Sequence, residues 1–136
     1  SAASGWAHRP IGDIHDIHSY EVETQVPPRF MDKASVLGEY GGIGWPIEEH
    51  IWDLDKQYWG YQVFYSGEEL EQAYRSMFVQ MLDMQRNKGL SAAVYTQITD
   101  IEGEMNGLMT YDRELIKIPL ESLRKIHSQL YVESDE

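Results

Sequence analysis

Residues 36–42 read VLGEYGG: two apolar residues, then Gly38 and the acid Glu39, then an aromatic and two glycines. An apolar strand that runs into a carboxylate admits two readings. In one, Glu39 is the first solvated charge of a turn after a buried strand. In the other, a parallel strand ends by presenting the acid to a cleft, and the glycines behind it let the chain turn away. The second reading makes Glu39 a candidate site residue.

Other groupings of chemically capable residues read as structure. His15 and His18 stand three apart, with Asp13 and Asp16 before and between them, a spacing that invites a metal ion. On a strand, however, positions three apart point to opposite faces, so the two imidazoles do not share one ion and no metal site is expected. Asp100, Glu102 and Glu104 alternate and could turn one face toward a hard cation, but a solvated acidic loop is the simpler expectation. Glu48, Glu49 and His50 read as loop surface.

The elements that must position these residues follow from pattern. GDIHDIHSY (12–20) carries Ile14 and Ile17 and ends in polar and aromatic residues, as a short strand does when it runs out to a functional edge. Residues 21–33, with Pro27-Pro28 and scattered charges, read as a loop or a poor helix. ASVLGEY (34–40) and GLSAAVYTQ (89–97) are short apolar runs that suit buried parallel strands. Between them, residues 66–89 carry the clearest signal: Ser66 as N-cap, Glu68 and Glu69 in the first turn, and Lys88-Gly89 as the stop. Leu70, Ala73, Tyr74, Met77, Phe78, Met81 and Leu82 recur at three and four and form one apolar stripe. A last helix is predicted over 119–132, with Pro119 in its first turn and Leu120, Leu123, Ile126 and Leu130 on one side, before a frayed ESDE tail.

This order of elements is the grammar of β/α units around a parallel sheet, in one α/β segment spanning 1–136. Residues 41–65 hold Trp45, Trp52 and Trp59 with several tyrosines, and a connector that long and that aromatic is usually functional. This loop and the long one after the strand at 89–97 both follow strands, so both would emerge at the carboxyl-terminal ends.

Composition excludes several classes of partner. Lys and Arg number 11 against 23 Asp and Glu, for a net charge of -12, so the chain has no basic stripe for a phosphate backbone and nucleic acid is not expected. No apolar run approaches the roughly 18 residues of a membrane span, and no membrane association is expected. The opening SAASGWAHRP lacks the basic, apolar, small-residue order of a secretory leader. The chain has no cysteine, hence no disulfide and no thiolate metal site.

VLGEYGGIGWPIEEHIW, then WGYQ, then GLSAAVYTQITDIEGEMNGLMTYDR resemble, in that order, the carboxyl-terminal portion of the catalytic barrel of glycoside hydrolase family 2, which includes β-galactosidases, β-glucuronidases and β-mannosidases. GDIHDIHSY is similar to the family's sixth barrel strand, which ends in an aromatic. The likeness runs from about Gly5 to Arg113, with a plausible final barrel helix after it.

The resemblance implies a partial (β/α)8 barrel, its last three β/α units, from a retaining enzyme that cleaves terminal β-linked sugars without a cofactor. It implies that Glu39 is the nucleophile and that Tyr20 hydrogen-bonds it. It places His18 near the same pocket and Tyr95 where the eighth strand usually sets an aromatic, often Trp, as a floor for the sugar. By position, Trp45, Trp52 and Trp59 would line the substrate entrance. A retaining glycosidase needs a second carboxyl group about 5–5.5 Å from the first. In the family this acid/base belongs to an Asn-Glu pair upstream, and the chain contains no such pair, so by itself it is expected to be inactive. Three strands of a barrel would also leave two unpaired edges, through which copies of the chain are expected to associate. The rival reading is a carbohydrate-binding or interaction module whose aromatic loops grip sugar and break no bond.

Overall fold

The computed structural model describes residues 5–7, 9–20, 32–53, 55 and 60–131. Three parallel strands form the main sheet: β1 (Ile14–Ser19), β2 (Ala34–Gly41) and, after two shorter strands in the intervening segment, β5 (Leu90–Thr96), in the order β1-β2-β5. The expected α/β organisation with parallel strands is therefore present. Residues 41–65 are more than a loop. They contain β3 (Ile43–Gly44), a 3-10 turn at Glu48–His50 and β4 (Gln62–Val63), with β3 and β4 paired in parallel.

Helix α1 (Gly67–Lys88) starts and stops where its sequence signals stand. The Ser66 hydroxyl accepts from the Glu69 backbone N–H at 3.2 Å, and Gly89, at φ 75°, closes the last turn in the left-handed conformation that glycine adopts without cost. Its stripe of Leu70, Tyr74, Met77, Phe78, Met81 and Leu82 is buried with Leu37, Tyr40 and Leu90 of the sheet. Burying such side chains contributes about 1.5–3 kcal/mol each, so the helix is held by packing on the sheet.

Helix α2 (Leu120–His127) is shorter than its sequence pattern predicts, because the chain tightens into a 3-10 turn at Ser128–Tyr131. Only part of its expected apolar side is covered. Leu123 and Ile126 are buried, whereas Leu120 and Leu130 are exposed, since they lie at the ends of a segment that meets the core through its middle.

The loop after β5 corrects the expectation of a solvated acidic run. Asp100 is buried, and its carboxylate lies 2.7 and 2.8 Å from the Lys117 ammonium, which also donates to the Met105 carbonyl at 3.0 Å. The Gly107 backbone N–H donates to the same carboxylate at 2.8 Å. Glu102 is exposed and Glu104 half-buried, so only the first acid of the alternating set is internal. Burial pushes the Asp100 carboxyl up, opposed by Lys117; burial likewise pulls the Lys117 ammonium down, opposed by Asp100.

Removing one partner leaves the other as an uncompensated buried charge. Lys117→Met should therefore destabilise the fold by about 3–5 kcal/mol in urea unfolding. Asp100→Asn/Lys117→Met, which keeps an acceptor for Gly107, should recover most of that loss; two equal midpoints for wild type and Lys117→Met would contradict the assignment.

Candidate functional site

Alternation along β1 puts Asp16, His18 and the following Tyr20 on one face. What joins Glu39 to them is a bulge. Ile17 pairs with Leu37, but the next residue, His18, pairs with Glu39, so Gly38 is an extra residue on β2. The β5 side agrees: Leu37 pairs with Ala93 and Tyr40 with Tyr95, three steps against two. Bulges re-aim side chains, and this one turns Glu39 to the His18 face while Leu37 and Tyr40 both remain on the core face.

The Tyr20 hydroxyl donates to Glu39 Oε2. His18 Nδ1 lies 3.6 Å from the same oxygen, and His18 Nε2 lies 3.5 Å from Asp16 Oδ2. The Glu39 side chain is 43% exposed, against 10% for His18 and 14% for Asp16, so the array runs from a half-buried acid through an imidazole to a more accessible acid. Burial, and then the hydrogen bond to Glu39, push the Tyr20 hydroxyl above the ordinary phenol range, which keeps it a donor. Tyr61 stacks on Tyr20 with ring centroids 3.7 Å apart, and the exposed Trp6 sets its ring 5.7 Å from that of His18 and 6.4 Å from that of Tyr20. Asp16, Tyr61 and Trp6 were not among the sequence-based site residues. The period of two in Asp16, His18 and Tyr20 is a signal that could have found the first of them.

The other expected residues fall elsewhere. The Tyr95 ring packs edge-on against Tyr40 and Tyr74, at 5.5 and 5.0 Å, and burial holds its hydroxyl well above the phenol range. This is the face that meets α1, opposite Glu39, so the geometry does not bring Tyr95 to the acid as a sugar floor. Trp45 packs over Gly67 at the start of α1, and Trp52 is exposed with its ring against Tyr111. Trp59 lies outside the described residues. His15 is buried on the core side with Ile17, the face opposite His18, as the strand period predicts.

His50 is not loop surface, although Glu48 and Glu49 are exposed. Its Nδ1 lies 2.6 Å from Asp112 Oδ2, while Asp112 Oδ1 accepts from the Thr110 hydroxyl at 2.5 Å and the Glu114 backbone N–H at 3.0 Å. The contact ties the segment after β2 to the segment after β5. His50, Asp112 and Glu114 bring ligand atoms within 4.8 Å of one another, but the 2.6 Å separation is that of a hydrogen bond. The bond to Asp112 pushes the His50 imidazole up, and the bonds from Thr110 and His50 pull the Asp112 carboxyl down to about 2.

These opposite shifts bracket a pH window. His50 rises above its ordinary 6.5, so its contribution is complete below that value and is lost as pH rises through the raised one. Asp112 falls below its ordinary 3.8, so its contribution is complete above 3.8 and is lost as pH falls toward about 2. The thermal midpoint of wild type should exceed that of His50→Asn by a constant amount between about pH 4 and 6.5, with the gap closing on both sides. A gap independent of pH would show that the pair does not titrate as an ion pair.

No protein-family model matches the chain, nor does any curated protein.

Proposed function

We propose that the chain is the carboxyl-terminal portion of a (β/α)8 barrel from a retaining glycoside hydrolase similar to family 2, with Glu39 as the nucleophile. One observation carries the reading: at the carboxyl-terminal ends of two adjacent parallel strands, an accessible carboxylate receives a tyrosine hydroxyl on one of its oxygens. Tyr20 favours the charged form of Glu39, which is the form that attacks. With Oε2 engaged, Oε1 attacks the anomeric carbon and the sugar–oxygen bond breaks to give a glycosyl ester. The second carboxyl group protonates the leaving oxygen and then activates the water that releases the sugar. That group lies on a part of the barrel outside the 136 residues, and no organic cofactor or metal takes part.

The exposed Trp6 beside His18 and Tyr20 favours carbohydrate as the substrate class, since an aromatic face gives a sugar ring a surface to stack on. The same exposure, with that of Trp52, is what a binding module without catalysis would also show. In the barrel reading, the outer edges of β1 and β5, at the two ends of the sheet order, are covered by further strands or by a second copy of the chain. A clean monomer of these 136 residues in sedimentation at high concentration would count against the second-copy form.

A 2-deoxy-2-fluoro glycosyl fluoride should leave a covalent adduct on Glu39 when the remainder of the barrel is present, read by intact mass and peptide mapping. Glu39→Gln should take no label, and Tyr20→Phe should be labelled about tenfold more slowly or worse, the loss expected for a hydrogen bond to a charged group. Saturable glycan binding by calorimetry to the 136 residues alone, without any adduct on Glu39 in either form, would favour the binding module.

A further inference from the structure

We propose that Asp16 is a positioning residue for Glu39 that acts through His18. The half-buried carboxylate holds the imidazole so that a ring N–H faces Glu39 Oε2 and restrains it alongside the Tyr20 hydroxyl. The inference rests on the reading of Glu39 as the nucleophile.

The geometry places the His18 ring between two acids of different exposure. Nε2 faces Asp16 Oδ2 at 3.5 Å and Nδ1 faces Glu39 Oε2 at 3.6 Å. An imidazole nitrogen serves a facing carboxylate by presenting a hydrogen, and with a carboxylate on each side both ring nitrogens do so only in the doubly protonated ring. Asp16 therefore does more than fill space: it selects the ring orientation in which one N–H points inward and the other is aimed at Glu39. At 3.5 and 3.6 Å both contacts are longer than ordinary hydrogen bonds, as catalytic contacts often are in the absence of substrate.

Asp16 is itself short of donors. Its Oδ2 accepts from the Gly5 backbone N–H at 3.3 Å, while Oδ1 is buried with no hydrogen-bond partner among the described residues. A carboxylate with one oxygen enclosed and unpaired is costly, and the side chain that faces it with an N–H to offer is His18. Two glycines from separate segments make room for the pair. A β-carbon at Gly38 would lie 2.0 Å from Asp16 Oδ1, and one at Gly5 would lie 2.0 Å from the His18 ring. Gly38 is the same residue whose insertion in β2 turns Glu39 toward His18, so one position both aims the outer acid and houses the inner one.

The test pairs a spectroscopic readout with a kinetic one. The protein is labelled with 15N-histidine, its His18 ring nitrogens are followed by long-range 1H–15N correlation, and Glu39 labelling by a 2-deoxy-2-fluoro glycosyl fluoride is timed in the complete barrel. Asp16→Asn keeps the shape and removes the charge. It should move the His18 ring signals and slow labelling about tenfold or more, with near-ultraviolet circular dichroism unchanged. Ring signals that stay in place overturn the inference whatever the labelling does. Moved signals with an unchanged labelling rate overturn it as well, since Asp16 then only packs. If Asp16→Asn does not fold, His18→Gln carries the kinetic arm, and labelling at the wild-type rate overturns the inference. A wild-type protein that takes no label defeats the nucleophile reading instead. The ring signals then decide alone: movement with both Asp16→Asn and Glu39→Gln sustains the chain of contacts, and indifference to either overturns it.

Discussion

The extra residue at Gly38 governs what this sheet can present. Regular parallel pairing beyond Ile17 and Leu37 would set Glu39 opposite Ser19, on the face where Tyr40 and Tyr95 now pack against α1. A carboxylate there would be desolvated among aromatic rings. Inserting one residue on β2 instead leaves Glu39 on the open face beside His18 and returns Tyr40 to the core. The residue inserted is a glycine because the Asp16 carboxylate occupies the space a side chain would need.

Around that bulge, local folding and long-range contacts divide the work. The α1 stripe covers the core face of β2 and β5. The segments after β2 and β5, both leaving the carboxyl-terminal ends of their strands, are tied to each other by the Trp45 N–H to the Met105 carbonyl and by His50 with Asp112. Asp100 and Lys117 organise the second segment from inside, with the ammonium also holding the Met105 carbonyl. A buried pair of this kind adds little net stability against an apolar alternative, but its unpaired forms are costly enough to exclude other arrangements of the loop.

Electrostatics at the site run counter to the composition. The chain carries a net charge of -12, yet the half-buried Glu39 is met by a neutral hydroxyl donor and an imidazole rather than by further acids. Tyr20 stays a donor because burial and Glu39 itself both oppose its ionisation. Its ring, stacked on Tyr61, has little freedom to take the hydroxyl elsewhere.

Local signals in the sequence determined α1 with both caps, the three parallel strands in order, and the acid that ends β2, because each depends on residues a few positions apart. The sequence by itself also determined that His15 and His18 part company, from the strand period alone. Tertiary structure decided the rest. The bulge that aims Glu39 exists only relative to the neighbouring strands, so VLGEYGG does not reveal which way its acid points. Asp100 looks like one solvated acid among three until Lys117, 17 residues away, is folded against it. His50 looks like surface until Asp112 arrives from 62 residues away. Tyr95 carries the residue type of a sugar platform, but its pairing with Tyr40 turns it to the helix, while Trp6 and Tyr61 reach Tyr20 from segments with no local pattern to mark them. Periodicity tells which face a residue shares with its own strand; only packing tells what that face meets.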